Sequence, residues 1–225
     1  KLKPYDEDRK IGLIRYALIK HGFKTNEIMV VIITASEVFP GRSDFVKMLR
    51  EKFPEITTII QNINPRKTSI VLGEKERVLF GKGFIVESLD QYKFKISSKS
   101  FFQVNPEQTL NLYNTVLEFA GLSGKEVILD AYSGVGTIGM FLSKKAKHVI
   151  SVESNKQAVN AAISNARDNN IKNMSFICDD ATNYIANMAR EKAYLDLLVL
   201  DPPRTGSTSE FLNAAIALKP NSIIY

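Results

Sequence analysis

Five short apolar runs, at residues 127–131, 149–152, 174–177, 195–200 and 222–225, alternate with helical stretches near 138–147, 156–169, 181–192 and 208–218. No other feature constrains the fold as much. Each run is too short for a helix and apolar nearly throughout, so each predicts a strand covered on both faces. Helical crossovers between successive strands make the pairing parallel. The second part of the chain is therefore expected to be an open α/β sheet. A helix over 106–120 leads into it, with Asn105 as its N-cap and Pro106 pre-set for the first turn.

The first part has a different texture. Ile11, Ile14, Ala17, Leu18 and Phe23 recur near helical spacing behind Asp6 and Asp8, which predicts a capped helix. Residues 27–35 read as a strand, and 43–53 as a helix stopped by Pro54. Residues 56–62, 68–72, 77–80, 83–87 and 92–96 read as short strands separated by turn residues. The expected organisation is a partial α+β central domain over 1–97, with a mainly antiparallel sheet, followed by a Rossmann-like domain over 98–225.

In open α/β sheets ligands bind at the carboxyl ends of the strands. After the first parallel strand comes Asp130-Ala131-Tyr132-Ser133-Gly134-Val135-Gly136-Thr137-Ile138-Gly139, a G-x-G-x-x-G between strand and helix. Its glycines let backbone approach a ligand closely. After the second strand comes Glu153, placed to accept hydrogen bonds from a ribose diol. Asp179 and Asp180 follow the third as acceptors for an adenine amino group. Asp201-Pro202-Pro203-Arg204 follows the fourth, a rigid turn able to grip the edge of a planar base.

The glycine pattern alone also permits a dinucleotide. The carboxylate and ring of the Asp130-Ala131-Tyr132 lead-in suit a cationic ligand without phosphates, and the proline turn is no nicotinamide motif. The expected cofactor is S-adenosyl-L-methionine, and the expected class is a methyltransferase.

Together with Gln61-Asn62-Ile63-Asn64 and Ser100-Phe101-Phe102-Gln103-Val104-Asn105-Pro106, the Asp130–Thr137 and Asp201–Gly206 stretches resemble the RNA uracil-C5 methyltransferases, which make 5-methyluridine in transfer and ribosomal RNA. The resemblance covers nearly the whole chain. One departure is Ser133, where many members of that family carry Cys. The resemblance implies that Gln103, Tyr132, Gly134, Thr137, Glu153, Asp180 and Asp201 hold S-adenosyl-L-methionine, and that Asp201 and Arg204 face the target base. It implies an RNA substrate, ribosomal rather than transfer RNA. It also implies a nucleophilic cysteine after the fifth strand, which adds to uracil C6, and a catalytic glutamate further on. These residues contain neither, so an inactive fragment truncated after strand five, with an exposed edge prone to self-association, is expected. An exocyclic-amino methyltransferase and a non-catalytic RNA-binding module are the alternatives.

Charge and composition narrow the partners. Positions 1–100 hold 19 basic and 12 acidic side chains, against 11 and 12 in the remainder, so the whole excess of +6 comes from the first part. Such a basic half fits a polyanion such as RNA, and equally a solvated surface. No apolar run approaches the ~20 residues of a membrane span. The first residues carry no apolar signal core, so a cytoplasmic protein is expected. One cysteine, Cys178, excludes an internal disulfide, a zinc knuckle or an iron–sulfur cluster built from this chain alone. Cys178 reads as a small buried core thiol. One of Phe101 and Phe102 reads as core, and His21 and His148 receive no chemistry.

Overall fold

Val- and Ile-rich segments build the first sheet. Its strands are β1 (Ile14–His21), β2 (Ile28–Thr34), β3 (Ile56–Ile63) and β4 (Lys75–Phe80), in the order β1-β2-β3-β4. β2 and β3 pair in parallel because helix α1 (Arg42–Lys52) carries the chain across between them, while the outer pairs are antiparallel. Phe45, Val46 and Leu49 of α1 cover Val30, Ile32, Ile56 and Ile59. A hairpin of β5 (Ile85–Leu89) and β6 (Tyr92–Ile96) follows. The computed structural model describes residues 2–225, and they fall into two units, one ending at Lys99 and the other running Ser100–Tyr225.

The predicted helix behind Asp6 is instead strand β1. Asp6 does cap a turn, its Oδ1 accepting from the Asp8 and Arg9 amides at 3.0 and 2.9 Å, but the turn folds back to a bridge between Asp6 and Ile11. Beyond it, half-buried Tyr16, Leu18 and Lys20 alternate with exposed Ala17, Ile19 and His21. That period of two outweighed an apolar spacing compatible with either element. The predicted strand at 68–72 is a loop. The Asn64 side-chain amide donates to the Ile70 and Val71 carbonyls, which a strand would have offered to a neighbour.

In the second unit the alternation holds. Helix α2 (Pro106–Ala120) is followed by β7 (Val127–Ala131), α3 (Thr137–Ser143), β8 (His148–Glu153), α4 (Lys156–Asp168), β9 (Met174–Cys178), α5 (Ala181–Arg190), β10 (Leu197–Leu200), α6 (Ser209–Leu218) and β11 (Ser222–Ile224). The five strands are parallel, in the order β11-β10-β7-β8-β9. Asn105 caps α2 by accepting from the Gln108 amide. One sheet face buries Leu129, Ala131, Leu198 and Leu200 against Ile185, Met188 and Phe211 of α5 and α6. The other buries Ile128, Leu197 and Val199 against Val116 of α2 and Leu142 of α3. This is the Rossmann-like arrangement expected, with β11 at one edge. No helix among the described residues is long and apolar enough to cross a membrane.

Candidate cofactor site

The strands of the second unit all end on one edge of the sheet, and the order turns back on itself between β7 and β10. A ligand crevice forms at such a switch point. The register pairs Leu200 with Ala131, Ala131 with Val152, and Glu153 with Cys178. Asp201, Tyr132, Glu153 and Cys178 therefore emerge in one row, each from the next strand along.

The loop between β7 and α3 forms the floor. Tyr132, Gly134 and Gly136 all take left-handed backbone, with φ of 60°, 55° and 79°. Tyr132 sits there without being glycine, and its ring packs on Phe211 with centroids 5.5 Å apart. The Gly134 amide donates to Glu153 Oε2 at 3.0 Å. A Cβ placed on Gly134 would meet nothing within 4 Å, so the space over it is open. Gly139 does the opposite job. A Cβ there would lie 2.7 Å from Asp130 Oδ2 and 2.8 Å from Ser151 Oγ, so only glycine lets α3 sit this close to β7.

Glu153 accepts from Gly134 through one oxygen, and from the Asn155 amide (2.7 Å) and Ser154 Oγ (3.3 Å) through the other. A carboxylate offers about four lone-pair sites, so it retains capacity for a ligand hydroxyl. Asp180 is exposed and occupied differently. Its Oδ1 caps α5 by accepting from the Thr182 and Asn183 amides. Half-buried Asp179 lies next to it and accepts the Asp180 amide. Thr137 Oγ1 is 2.9 Å from the hydroxyl of buried Tyr113. Burial raises the Tyr113 pKa, and the Asp130 and Asp201 charges add to the effect.

Asp201 and Arg204 are exposed on the turn after β10, which closes through the Gly206 amide on the Pro203 carbonyl at 2.8 Å. Gln103 is half-buried in the irregular stretch before α2, where Phe101 is exposed and Phe102 half-buried. Tyr132, Gly134 and Glu153 are thus joined by direct contacts with the loop or its packing. Asp201 and Arg204 share their own turn, and Thr137 and Asp180 already hold protein partners.

Asp130, expected to offer its carboxylate to a cationic ligand at the strand tip, is instead covered by the loop as it enters α3. Asp130 is buried in the strand end, and its Oδ2 accepts from the Gly139 amide (3.0 Å) and from Ser151 Oγ (3.3 Å). Burial pushes its pKa up to about 7, the two hydrogen bonds oppose that, and the Asp201 and Glu153 charges reinforce it. The signal was available, since a lone acid inside an apolar strand must lie under something polar. Cys178 departs from expectation the other way. It is exposed, not a core thiol, because it ends the edge strand β9; its Sγ lies 3.8 Å from the Ser154 carbonyl. His148 Nε2 meets Ser175 Oγ at 2.9 Å, an ordinary strand-to-strand contact.

Residues 109–225 match the family model described as Conserved hypothetical protein 95. The chain is 42% identical over 221 residues to an uncharacterized RNA methyltransferase of Caldanaerobacter subterraneus subsp. tengcongensis. It is 40% identical over 224 residues to an uncharacterized RNA methyltransferase of Bacillus cereus. It spans about half the length of these curated relatives, 49% in both cases. Among solved structures, it is 28% identical to the Pyrococcus abyssi tRNA (uracil-54, C5)-methyltransferase in complex with S-adenosyl-L-homocysteine. That match has a TM-score of 0.78 and covers 97% of this chain and 51% of that one. The M. jannaschii tRNA m1G37 methyltransferase, 15% identical with a TM-score of 0.53 over 94% of this chain and 58% of that one, shares the fold.

The expected membership of the uracil-C5 methyltransferase family is corrected by the family match, which assigns residues 109–225 elsewhere. Two of the stretches behind that expectation, Asp130–Thr137 and Asp201–Gly206, fall inside the matched segment. The first makes the turn that any glycine-rich cofactor loop needs, and the second a rigid proline turn at the sheet edge. Neither is peculiar to one target atom.

Proposed function

We propose that this chain, which belongs to the Conserved hypothetical protein 95 family, binds S-adenosyl-L-methionine at the β7–β8–β10 edge and serves the methylation of a base in RNA. The observation that carries the cofactor is the composition of that edge. Glu153, Asp179 and Asp201 follow the ends of β8, β9 and β10 beside a loop whose Gly134 leaves open space, and among the described residues Arg204 is the one cation in the loops that follow these strands. Acidic groups suit a sulfonium cation and a ribose diol, and disfavour a pyrophosphate. When bound, the cofactor supplies an electrophilic methyl group. Glu153 holds the ribose diol, Tyr132 and the loop backbone border the cofactor, and Gln103, Thr137 and Asp180 complete its contacts. Asp201 and Arg204 face the target base.

The target atom we propose is C5 of a uridine, supported by the 28% identity to the Pyrococcus abyssi tRNA (uracil-54, C5)-methyltransferase over nearly the whole chain. That carbon becomes nucleophilic only once a thiolate has added to C6, after which a base must remove the C5 proton. Cys178, the one thiol in the sequence, lies three strands from β10, about 14 Å at ordinary strand spacing. It is therefore out of reach of a base held at Asp201. A C5 reaction thus needs a thiol other than Cys178, whereas a second reading, methylation of an exocyclic base nitrogen, needs none.

Tritium separates the two. RNA labelled at uridine C5 is incubated with S-adenosyl-L-methionine and the full-length protein. Release of tritium to water, with one methyl gained per tritium lost, is expected. Methyl incorporation with full retention of tritium, and an N-methylated nucleoside on digestion, overturns the C5 assignment. Residues 1–225 alone are expected to bind the cofactor in calorimetry and to release no tritium.

A further inference from the structure

The Gln61-Asn62-Ile63-Asn64 stretch closes strand β3 and opens the connection to β4. Its work lies in the first unit, where Ile63 of β3 pairs with Lys75 of β4 and residues 64–74 connect them. Antiparallel neighbours ordinarily need about two to five connecting residues. This connection is far longer, has no regular structure, and is nonetheless clamped.

The clamp is made of buried polar side chains. Asn62 is fully buried; its Oδ1 accepts the Gly73 amide at 2.7 Å and its Nδ2 donates to the Gly73 carbonyl at 3.1 Å. Asn64 is also fully buried; its Nδ2 donates to the Ile70 and Val71 carbonyls at 2.6 and 3.0 Å, and its Oδ1 accepts the Arg66 amide at 3.1 Å. Arg15, with a side chain 1% exposed, donates to the Asn64 and Arg66 carbonyls and to Glu7, and lies against the rings of Tyr5 and Tyr16. Gly73 sits flush on β3, where a Cβ would come within 1.9 Å of the Ile63 carbonyl oxygen.

All this order serves a tip that buries nothing. Residues 65–71 are all exposed, Ile70 by 52% and Val71 by 40%. Arg66, Lys67 and Lys75 stand on or beside the loop, and its one acid, Glu74, is already paired with Arg66. Among the described residues, Lys67 has no ion-pair or hydrogen-bond partner. A loop held at its base by three buried polar residues does not need them for packing. A rigid projection does, because it is ordered before its ligand arrives and loses less freedom on binding. Cations beside β-branched apolar side chains match a nucleic acid, whose phosphates take the charges and whose splayed bases take the apolar groups.

We propose that residues 64–74 form a preformed RNA-contacting finger, with Lys67 on a phosphate and Ile70 against an unstacked base. This rests on the RNA substrate proposed above, and the experiment separates the two. Fluorescence anisotropy of a labelled RNA hairpin with an unpaired uridine-rich loop is followed over a series of KCl concentrations. It is compared with a fully paired RNA duplex of equal length. Lys67→Glu is expected to weaken hairpin binding and to reduce the salt slope by about one. Lys172→Glu, an exposed site in the second unit with the same change of net charge, is expected to do neither. Ile70→Ser is expected to weaken the hairpin at unchanged salt slope and to leave the duplex unaffected. If the wild-type chain binds and Lys67→Glu merely matches Lys172→Glu, or Ile70→Ser binds the hairpin normally, the finger is wrong and the RNA substrate stands. If the full-length wild-type protein binds neither RNA, the RNA substrate fails and the finger with it.

Discussion

Asp130 is a carboxylate that the fold prefers to keep protonated. Its pKa stands at about 7 against an ordinary 3.8 because burial, with Asp201 and Glu153 nearby, penalises the charge. A raised value in the folded state means the folded chain holds a proton that the unfolded chain gives up. The resulting stability is complete below about pH 4 and is lost as pH rises through 7. Asp130→Asn keeps an oxygen for the Gly139 amide and Ser151 but cannot ionise. Urea unfolding followed by circular dichroism is therefore expected to show wild type losing up to about 1.4 kcal/mol per pH unit across that window relative to the variant. Parallel pH profiles for the two proteins would mean that Asp130 is ionised at no unusual cost. The residue also shows where sequence reading stops. Glu153 and the glycines were legible because spacing after a strand places them on the sheet edge. Whether Asp130 points up at a ligand or down under the loop depends on the α3 packing, which no local pattern carries.

Elements were legible in proportion to their periodicity. The strands and helices of the second unit follow from near-continuous apolar runs bounded by caps, and β7 matches its expected bounds. The helix reading of β1 fails because Ile14 and Leu18, four apart, fit one helix face and one strand face equally well. Only the neighbouring strand β2, paired from Ile14↔Thr34 to His21↔Ile28, decides between them. The same dependence on a partner element governs α3, whose Gly139 faces β7 and β8. In an isolated helix alanine would beat glycine by about 1 kcal/mol. Here the added methyl meets Asp130, Ser151 and the Met174 methyl at 2.7, 2.8 and 2.9 Å, all inside contact distance. Gly139→Ala is expected to destabilise the second unit by about 1–3 kcal/mol, reversing the sign of the helix propensity. A thermal melt at or above the wild-type midpoint would show that α3 has room to shift.

At the scale of the molecule, charge divides as the two units do. The first hundred residues carry the excess of basic side chains, and the remainder, which builds the cofactor edge, is close to neutral. Neither fact alone identifies a partner, since a basic surface also serves solubility. Their combination predicts two ligands with opposite responses to salt. RNA held through several phosphates releases counterions, and its affinity falls as a power of salt concentration. In the proposed site S-adenosyl-L-methionine would meet the backbone of the β7–α3 loop and half-buried Glu153, where screening is weaker than at an exposed phosphate contact. Raising KCl from roughly 50 to 200 mM is thus expected to weaken RNA binding by orders of magnitude while cofactor affinity in calorimetry stays within about twofold. Equal losses for both ligands would mean that the cofactor edge is held by exposed charge. An RNA affinity indifferent to salt would mean that the basic half is a solvated surface with no part in binding.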